Sequence, residues 1–331
     1  AASNLDWEPD VVVLGNALSR GNPELEAALD RRMRYISFPE WLKESVLRDR
    51  RPIVVAGTHG KSTTTALASW LLDSAGRAPG FLIGAQPLDF EYSSRLGESG
   101  SPFVVEGDEY DTAFFDKRAK FLHYLPEVAI VTSVEFDHGD IYRDLAEIET
   151  AFQRLLRIVP QNGLVVLCAD DAGALRLREH LYSPLTTYGF AKDADWRIEA
   201  IEPADDRARF MLHHDGDAIG PFTTQMFGAY NLRNAAAAIV ASAHFGADMK
   251  KLAKGLDRFR GLKRRMEIFH RARGIDFIDD FAHHPTAMRE AIHAARERWP
   301  KRRLVVLFEP RSNTSVTNRF QSEIAEALSG A

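Results

Sequence analysis

The chain has 331 residues, 45% hydrophobic and 27% charged, enough length and apolar material for two or three domains. Its net charge of −5 excludes a general attraction for nucleic acid or anionic lipid, so any bound phosphate must be held by a local site. The single cysteine, Cys168, excludes an intrachain disulfide, and no apolar run approaches the roughly 20 residues that span a bilayer. The expected setting is the cytoplasm, with no nucleic-acid partner and no membrane insertion.

The opening residues read as α/β. An apolar run at 11–14 ends at Gly15-Asn16, residues 23–32 have helical spacing behind an Asn22 cap, and a second helix is predicted over 39–49. From Pro52 the pattern becomes strand, glycine loop, helix, with a strand at 53–56 and a helix at 62–74 carrying Leu67, Trp70 and Leu71 on one face. Buried strands are predicted at 103–105, 128–131 and 164–167, separated by helical segments such as 145–158. Cys168 ends the last of these runs and reads as a buried structural thiol rather than a nucleophile. Strands alternating with helices predict a mainly parallel sheet covered on both faces.

Residues 196–226 differ. Short alternating runs at 197–201, 208–212 and 222–226, with Asp215-Gly216 among them, predict antiparallel strands and a hairpin. An alanine-rich helix is predicted over 232–245, and Arg258-Phe259-Arg260-Gly261 reads as a basic hinge. Beyond it, 266–269 and 275–278 read as paired strands, 285–298 as a helix and 304–308 as a strand.

Three clusters carry chemistry. Gly57-Thr58-His59-Gly60-Lys61-Ser62-Thr63 lies between a predicted strand and helix. There, backbone N–H groups and the positive helix end face an anion, lysine reaches β/γ phosphates, and the following hydroxyl ligates Mg²⁺. The plainer alternative is a glycine turn with a capping serine; the spacing is a shortened variant, with Val55 where the strict pattern wants glycine. Glu106-Gly107-Asp108-Glu109 and Asp137-His138-Gly139-Asp140 each follow a predicted strand, at the edge where open α/β sheets hold ligands. Taken jointly, these loops offer cation, hydroxyl, carboxylate and imidazole. Asp279-Asp280-Phe281-Ala282-His283-His284-Pro285-Thr286 forms a further cluster at a strand-to-helix turn, and Arg264-Arg265 stand just past the hinge.

These motifs together resemble the Mur ligase family, the ATP-dependent amide-bond ligases of peptidoglycan synthesis. The resemblance rests on residues 57–63, 106–109, 137–138, 231–234, 261–265 and 280–285, in the family's order and over nearly the whole chain. It implies an α/β, three-domain architecture. A UDP-sugar-binding domain would occupy 1–51, a central P-loop ATPase on a mainly parallel sheet 52–260, and a C-terminal α/β domain 261–331, the first and last incomplete.

The resemblance also implies ATP and Mg²⁺ and distributes roles. Gly57, Thr58, His59, Gly60, Lys61, Ser62 and Thr63 would cradle the phosphates; Ser62 or Thr63 and Glu106 would hold Mg²⁺. His138 would serve a second metal or the acyl phosphate, Asn231 the adenine, Asp280 the ribose, Arg265 the closing of the domains, and His283 the amine substrate. Within the family, residues 109–118, 135–138 and 309–314 resemble members that join UDP-N-acetylmuramate to the tripeptide L-alanyl-γ-D-glutamyl-meso-diaminopimelate in peptidoglycan recycling. The alternatives are a ligase taking free L-alanine and a non-catalytic nucleotide-binding module. Three positions depart from the family pattern: Tyr230 for a histidine, Ser133 for an asparagine, and Gln153 near the place of a carbamylated lysine.

Overall fold

The computed structural model describes residues 2–331 apart from 138, 140, 205, 311–314 and 317–319. In the N-terminal segment, β1 (Val12–Leu14) and β2 (Tyr35–Ser37) form a parallel pair on either side of α1 (Pro23–Asp30). The Asn22 side chain accepts from the N–H groups of Glu24 and Leu25, as the sequence predicts. α2 (Phe38–Ser45) starts from a Ser37 cap, but the helix expected over 39–49 is divided. Val46 leaves the helical conformation and Leu47–Asp49 forms a 3₁₀ turn, which lets Leu42, Val46 and Leu47 all reach the core beneath the main sheet.

The main sheet is built from β3 (Arg51–Ala56), β4 (Gly80–Leu82), β5 (Ser94–Arg95), β6 (Pro102–Gly107), β9 (Val128–Val131), β10 (Leu164–Cys168), β11 (Leu185–Gly189), β12 (Trp196–Ala204), β13 (Arg207–His214) and β14 (Asp217–Thr224). A small hairpin of β7 (Asp111–Ala113) and β8 (Asp116–Ala119) stands apart from it. The strand order is β14-β13-β12-β11-β10-β9-β3-β6-β4-β5. Pairing is parallel from β12 through β4, and antiparallel at β12–β13, β13–β14 and β4–β5.

β3 sits between β9 and β6, and its side chains alternate between two cores. Ile53 and Val55 join one with α3 (Lys61–Ser74), α6 (Ala229–His244) and α7 (Met249–Arg258). Val54 and Ala56 join the other with α2 and α4 (Leu145–Arg157). Burial on both faces is why these strands read as continuous apolar runs. A short α5 (Ala172–Arg176) follows β10. The hairpin predicted around Asp215-Gly216 is present, but β12 pairs in parallel with β11, so the antiparallel strands extend the main sheet. In α6, Ala235, Ala236, Ala237 and Ala238 are fully buried, small side chains that let the helix lie close on the sheet.

The last segment holds an antiparallel pair, β15 (Glu267–Ala272) and β16 (Ile275–Asp279), then α8 (Pro285–Arg298) and α9 (Gln321–Leu328). The strand predicted at 304–308 does not form: the segment is irregular, with Leu307 95% exposed. An apolar run becomes a strand only where a neighbouring edge takes its hydrogen bonds, and none of the described strands pairs with it. The segment 260–263 is tied to the central unit by Leu88 N–H donating to Gly261 O at 3.0 Å and Lys263 N–H to Gln86 O at 2.9 Å. Among the described residues no helix is long and apolar enough to cross a membrane.

Cys168 is buried, and burial pushes its thiol up to about 11. At pH 8 only about one thiol in a thousand is then ionised. The native chain should therefore resist an aromatic disulfide reagent that titrates one thiol per chain in denaturant; rapid native labelling would contradict this.

Candidate functional site

The turn from β3 to α3 needs glycine at two points. Gly57 has φ +137°, and a Cβ there would lie 2.1 Å from Thr132 Oγ1; Gly60 has φ +79°, and its Cβ would lie 2.5 Å from Asn234 Oδ1. The loop is pinned from below: Thr58 N–H donates to Ser133 O at 2.9 Å, His59 N–H to Ser133 Oγ at 3.0 Å, and Glu135 N–H to Thr58 Oγ1 at 2.8 Å. Ser133, one of the departures from the family pattern, thus supplies a loop acceptor. α1, α2, α4, α5 and α7 are capped by side chains of Asn22, Ser37, Asp144, Asp171 and Asp248, whereas no side chain among the described residues caps α3. Its first turn, Lys61, Ser62 and Thr63, lines the cleft, and an uncapped helix start there suits an anion.

Lys61 Nζ donates to Gly57 O at 2.6 Å and to both carboxylate oxygens of Glu109, at 3.0 and 2.9 Å. Burial works against the charged ammonium, but the carboxylates of Glu109, Asp108 and Glu106 outweigh it and hold its pKa above the usual lysine range. Ser62 Oγ donates to Glu106 Oε1 at 3.1 Å, and Gly84 N–H donates to Glu106 Oε2 at 2.8 Å. A hydroxyl beside a carboxylate, both oxygen donors, is the ligand chemistry Mg²⁺ takes, so these residues fit the ion that the family implies. Asp108 instead pairs with Lys120 at 2.6 Å. A Cβ on Gly84 would sit 2.6 Å from Glu106 Oε2. Gly84→Ala should displace that carboxylate and raise the Mg²⁺ concentration for half-maximal activity about tenfold, with thermal stability near wild type. An unchanged Mg²⁺ titration would contradict it.

The three loops singled out in the sequence do converge at the same sheet edge, following β3, β6 and β9. They open into a cleft of about 690 Å³ whose far wall is the segment 260–268 and α8, a volume within the ordinary range for ligand sites. Thr58, His59, Gly60, Lys61, Ser62, Thr63, Glu106, Asn231, Arg265, Asp280 and His283 all line it. His138 and Asp140, and the stretch at Arg311, lie outside the described residues.

The far wall sorts the paired residues of the sequence. Arg265 lines the cleft, while the Arg264 guanidinium is engaged with Asp279 at 3.2 Å. Asp280 accepts from the N–H groups of Met266 and Ala282, both at 2.8 Å, and burial raises its pKa despite those bonds. His283 is half-buried, with Nδ1 3.0 Å from Phe281 O. Asn231 is buried and donates from Nδ2 to Phe227 O at 2.8 Å, beside Tyr230, whose hydroxyl is raised far above its usual pKa by burial.

Glu109, Glu135, His284 and Thr286 all lie in segments the sequence singles out, but their partners are not legible there. Glu109 lay inside a noted acidic run, but only the fold shows its carboxylate on Lys61. Glu135 Oε2 lies 3.1 Å from His59 Nε2, accepts from Thr286 Oγ1 at 2.9 Å, and lies 3.5 Å from His284 Nδ1. Burial opposes its charge, but His59, Thr286 and His284 prevail and hold its pKa down at about 2. Burial and the neighbouring His59 imidazole push His284 down to about 4, against the pull of Glu135 and Asp137. No local pattern announces contacts spanning 48 to 151 positions of sequence.

Residues 55–242 match the Mur ligase middle domain, and residues 264–331 match the Mur ligase, glutamate ligase domain. The chain is 40% identical to the UDP-N-acetylmuramate–L-alanyl-γ-D-glutamyl-meso-2,6-diaminoheptandioate ligase of Escherichia coli (strain K12), with 100% of this chain and 72% of that protein aligned. It is 37% identical to a UDP-N-acetylmuramate–L-alanine ligase of Halorhodospira halophila, covering 97% of this chain and 65% of that one. A crystal structure of a murein peptide ligase from Psychrobacter arcticus superposes with a TM-score of 0.79 at 36% identity, over 100% of this chain and 72% of that chain. With both domain matches in order and a 40% identical relative aligned over the whole of this chain, the chain belongs to the Mur ligase family.

Proposed function

We propose that this chain is an ATP-dependent ligase that activates the carboxylate of UDP-N-acetylmuramate as an acyl phosphate. It then joins that carboxylate to the amine of L-alanyl-γ-D-glutamyl-meso-diaminopimelate, the reaction of a murein peptide ligase in peptidoglycan recycling. The observation that carries the reading is the meeting of Lys61, Ser62 and Glu106 in a cleft whose opposite wall presents Arg265 and His283. The E. coli relative and a Haemophilus influenzae relative, also 40% identical, are both named for this tripeptide substrate.

A carboxylate does not condense with an amine at neutral pH, because oxide is a poor leaving group; phosphorylation turns phosphate into the leaving group. Bound Mg²⁺-ATP supplies the phosphoryl group and neutralises its charge. The chain's own residues do the positioning. Lys61 and the loop N–H groups hold the β/γ phosphates, and Lys61 exchanges Glu109 for them as nucleotide enters. Ser62 and Glu106 hold the ion, Asn231 lies toward the adenine and Asp280 toward the ribose. Arg265 faces the phosphates from the closing wall, His283 orients the incoming amine, and His138 serves the acyl phosphate or a second ion. Closure of the wall excludes water that would hydrolyse the acyl phosphate.

We assign 1–51 to the sugar-nucleotide domain, 52–260 to the ATPase and 261–331 to the C-terminal domain, because the main sheet begins at Arg51 and α7 ends at Arg258. The setting is the cytoplasm, where ATP and a reduced Cys168 coexist. The deciding assay measures phosphate release with UDP-N-acetylmuramate and either the tripeptide or free L-alanine. Turnover with the tripeptide supports this reading. Turnover with L-alanine alone would replace it with the L-alanine ligase, and turnover that ignores both amines would reject a ligase.

A further inference from the structure

The phosphate loop has a second side, away from Ser62 and Glu106, where it meets the first turn of α8. Three side chains from three separate segments converge there: His59 from the loop after β3, Glu135 from the loop after β9, and His284 at the start of α8. His59 Nε2 lies 3.1 Å and His284 Nδ1 3.5 Å from the same oxygen, Glu135 Oε2. The two imidazole rings are 4.7 Å apart between centroids, and all three ligand atoms fall within 4.8 Å of one another.

Those spacings have a simple geometric meaning. Four ligands about 2.1 Å from a tetrahedral ion are separated from one another by about 3.4 Å. The two carboxylate–imidazole distances, 3.1 and 3.5 Å, bracket that edge length, and the imidazole–imidazole edge is at most 4.8 Å, so an ion can enter as the two rings turn toward it. The donor set selects the kind of ion: two imidazole nitrogens and one carboxylate suit zinc, cobalt or nickel, whereas Mg²⁺ takes oxygen ligands and binds octahedrally. His284 is buried while His59 and Glu135 are half-buried, so one side stays open to a water as fourth ligand. Thr286 Oγ1, 2.9 Å from Glu135 Oε2, remains on the carboxylate as an outer partner that orients it. The cost is the long contact from Thr286 N–H to His284 Nδ1, 3.3 Å, which the ion replaces.

We propose that His59, Glu135 and His284 form a tetrahedral site for a divalent transition metal of the zinc class, distinct from the Ser62–Glu106 oxygen pair. An ion there cross-links the phosphate loop to α8, and so holds the wall of the cleft against the nucleotide loop.

The test uses the full chain, without an affinity tag, stripped with chelator and titrated with Co²⁺ in excess Mg²⁺. The expected result is one Co²⁺ per chain with the intense visible bands of a four-coordinate centre, displaced by Zn²⁺ and not by Mg²⁺. Glu135→Gln and His284→Asn should each weaken binding by more than about 100-fold, while His283→Ala, one residue away, binds as wild type. Three results overturn the proposal: no stoichiometric uptake by the wild-type chain, a weak six-coordinate spectrum, or displacement by Mg²⁺. Because wild-type uptake decides the matter, misfolding of a variant does not rescue the idea. No nucleotide or substrate is present, so failure here leaves the ligase reading standing.

Discussion

Lys61→Ala is expected to lower substrate-dependent ATP turnover by about 10³-fold or more, the scale seen when a preorganised charge facing a developing anion is removed. The sequence alone would predict a purely chemical defect. The structure adds a second effect, because the ammonium lies against both oxygens of the buried Glu109 carboxylate. Removing one member of a buried ion pair costs about 3 kcal/mol, since the remaining charge loses its counter-ion. Lys61→Ala should therefore also lower the denaturation midpoint. The double variant Lys61→Met/Glu109→Gln removes both charges and should recover most of the stability while remaining inactive. Denaturant unfolding and coupled phosphate release, measured on the same preparations, separate the two effects. Near-normal turnover in Lys61→Ala would remove the central assignment of the site.

Glu106→Ala should have the next largest effect, a loss of about 10²- to 10³-fold in turnover with a Mg²⁺ requirement shifted upward. Glu106 is held on both sides, by Ser62 Oγ and by the N–H of Gly84, so its carboxylate is presented in a fixed direction. Alanine deletes an oxygen ligand and leaves Ser62 to hold the ion with water. Raising Mg²⁺ should restore part of the activity, a rescue that a folding defect would not show. If the Mg²⁺ dependence of Glu106→Ala matched the wild type, its role in holding metal would be wrong. Gly84→Ala should move activity in the same direction by a smaller amount, because it displaces the carboxylate without deleting it.

Much of the fold was legible in the sequence where one short segment carries the whole signal. The strands at 53–56, 103–105, 128–131 and 164–167, with the caps at Asn22 and the hairpin at Asp215-Gly216, appear where local pattern puts them. The misses have physical causes. Residues 304–308 have strand composition, but a strand exists only as a pair, and no described edge accepts this one. The helix expected over 39–49 breaks at Val46 because burial of Val46 and Leu47 outweighs helical continuity. α7 does carry a local signal, an Asp248 cap with Leu252 and Leu256 burying one face, but its short length and the basic residues that follow make the stretch read as a hinge.

Sequence by itself determined the anion-binding geometry: a glycine turn between a buried strand and a helix must point backbone N–H groups at its ligand, whatever surrounds it. It also determined which residue types stand at the sheet edge, because strand ends are marked by local composition. Tertiary structure decided the partners. It set Glu109 rather than Asp108 on Lys61, turned Arg265 but not Arg264 into the cleft, and placed His284 rather than His283 against His59 and Glu135. Adjacent residues of like chemistry are equivalent in a sequence, and they become different only when the backbone turns one inward and the other out.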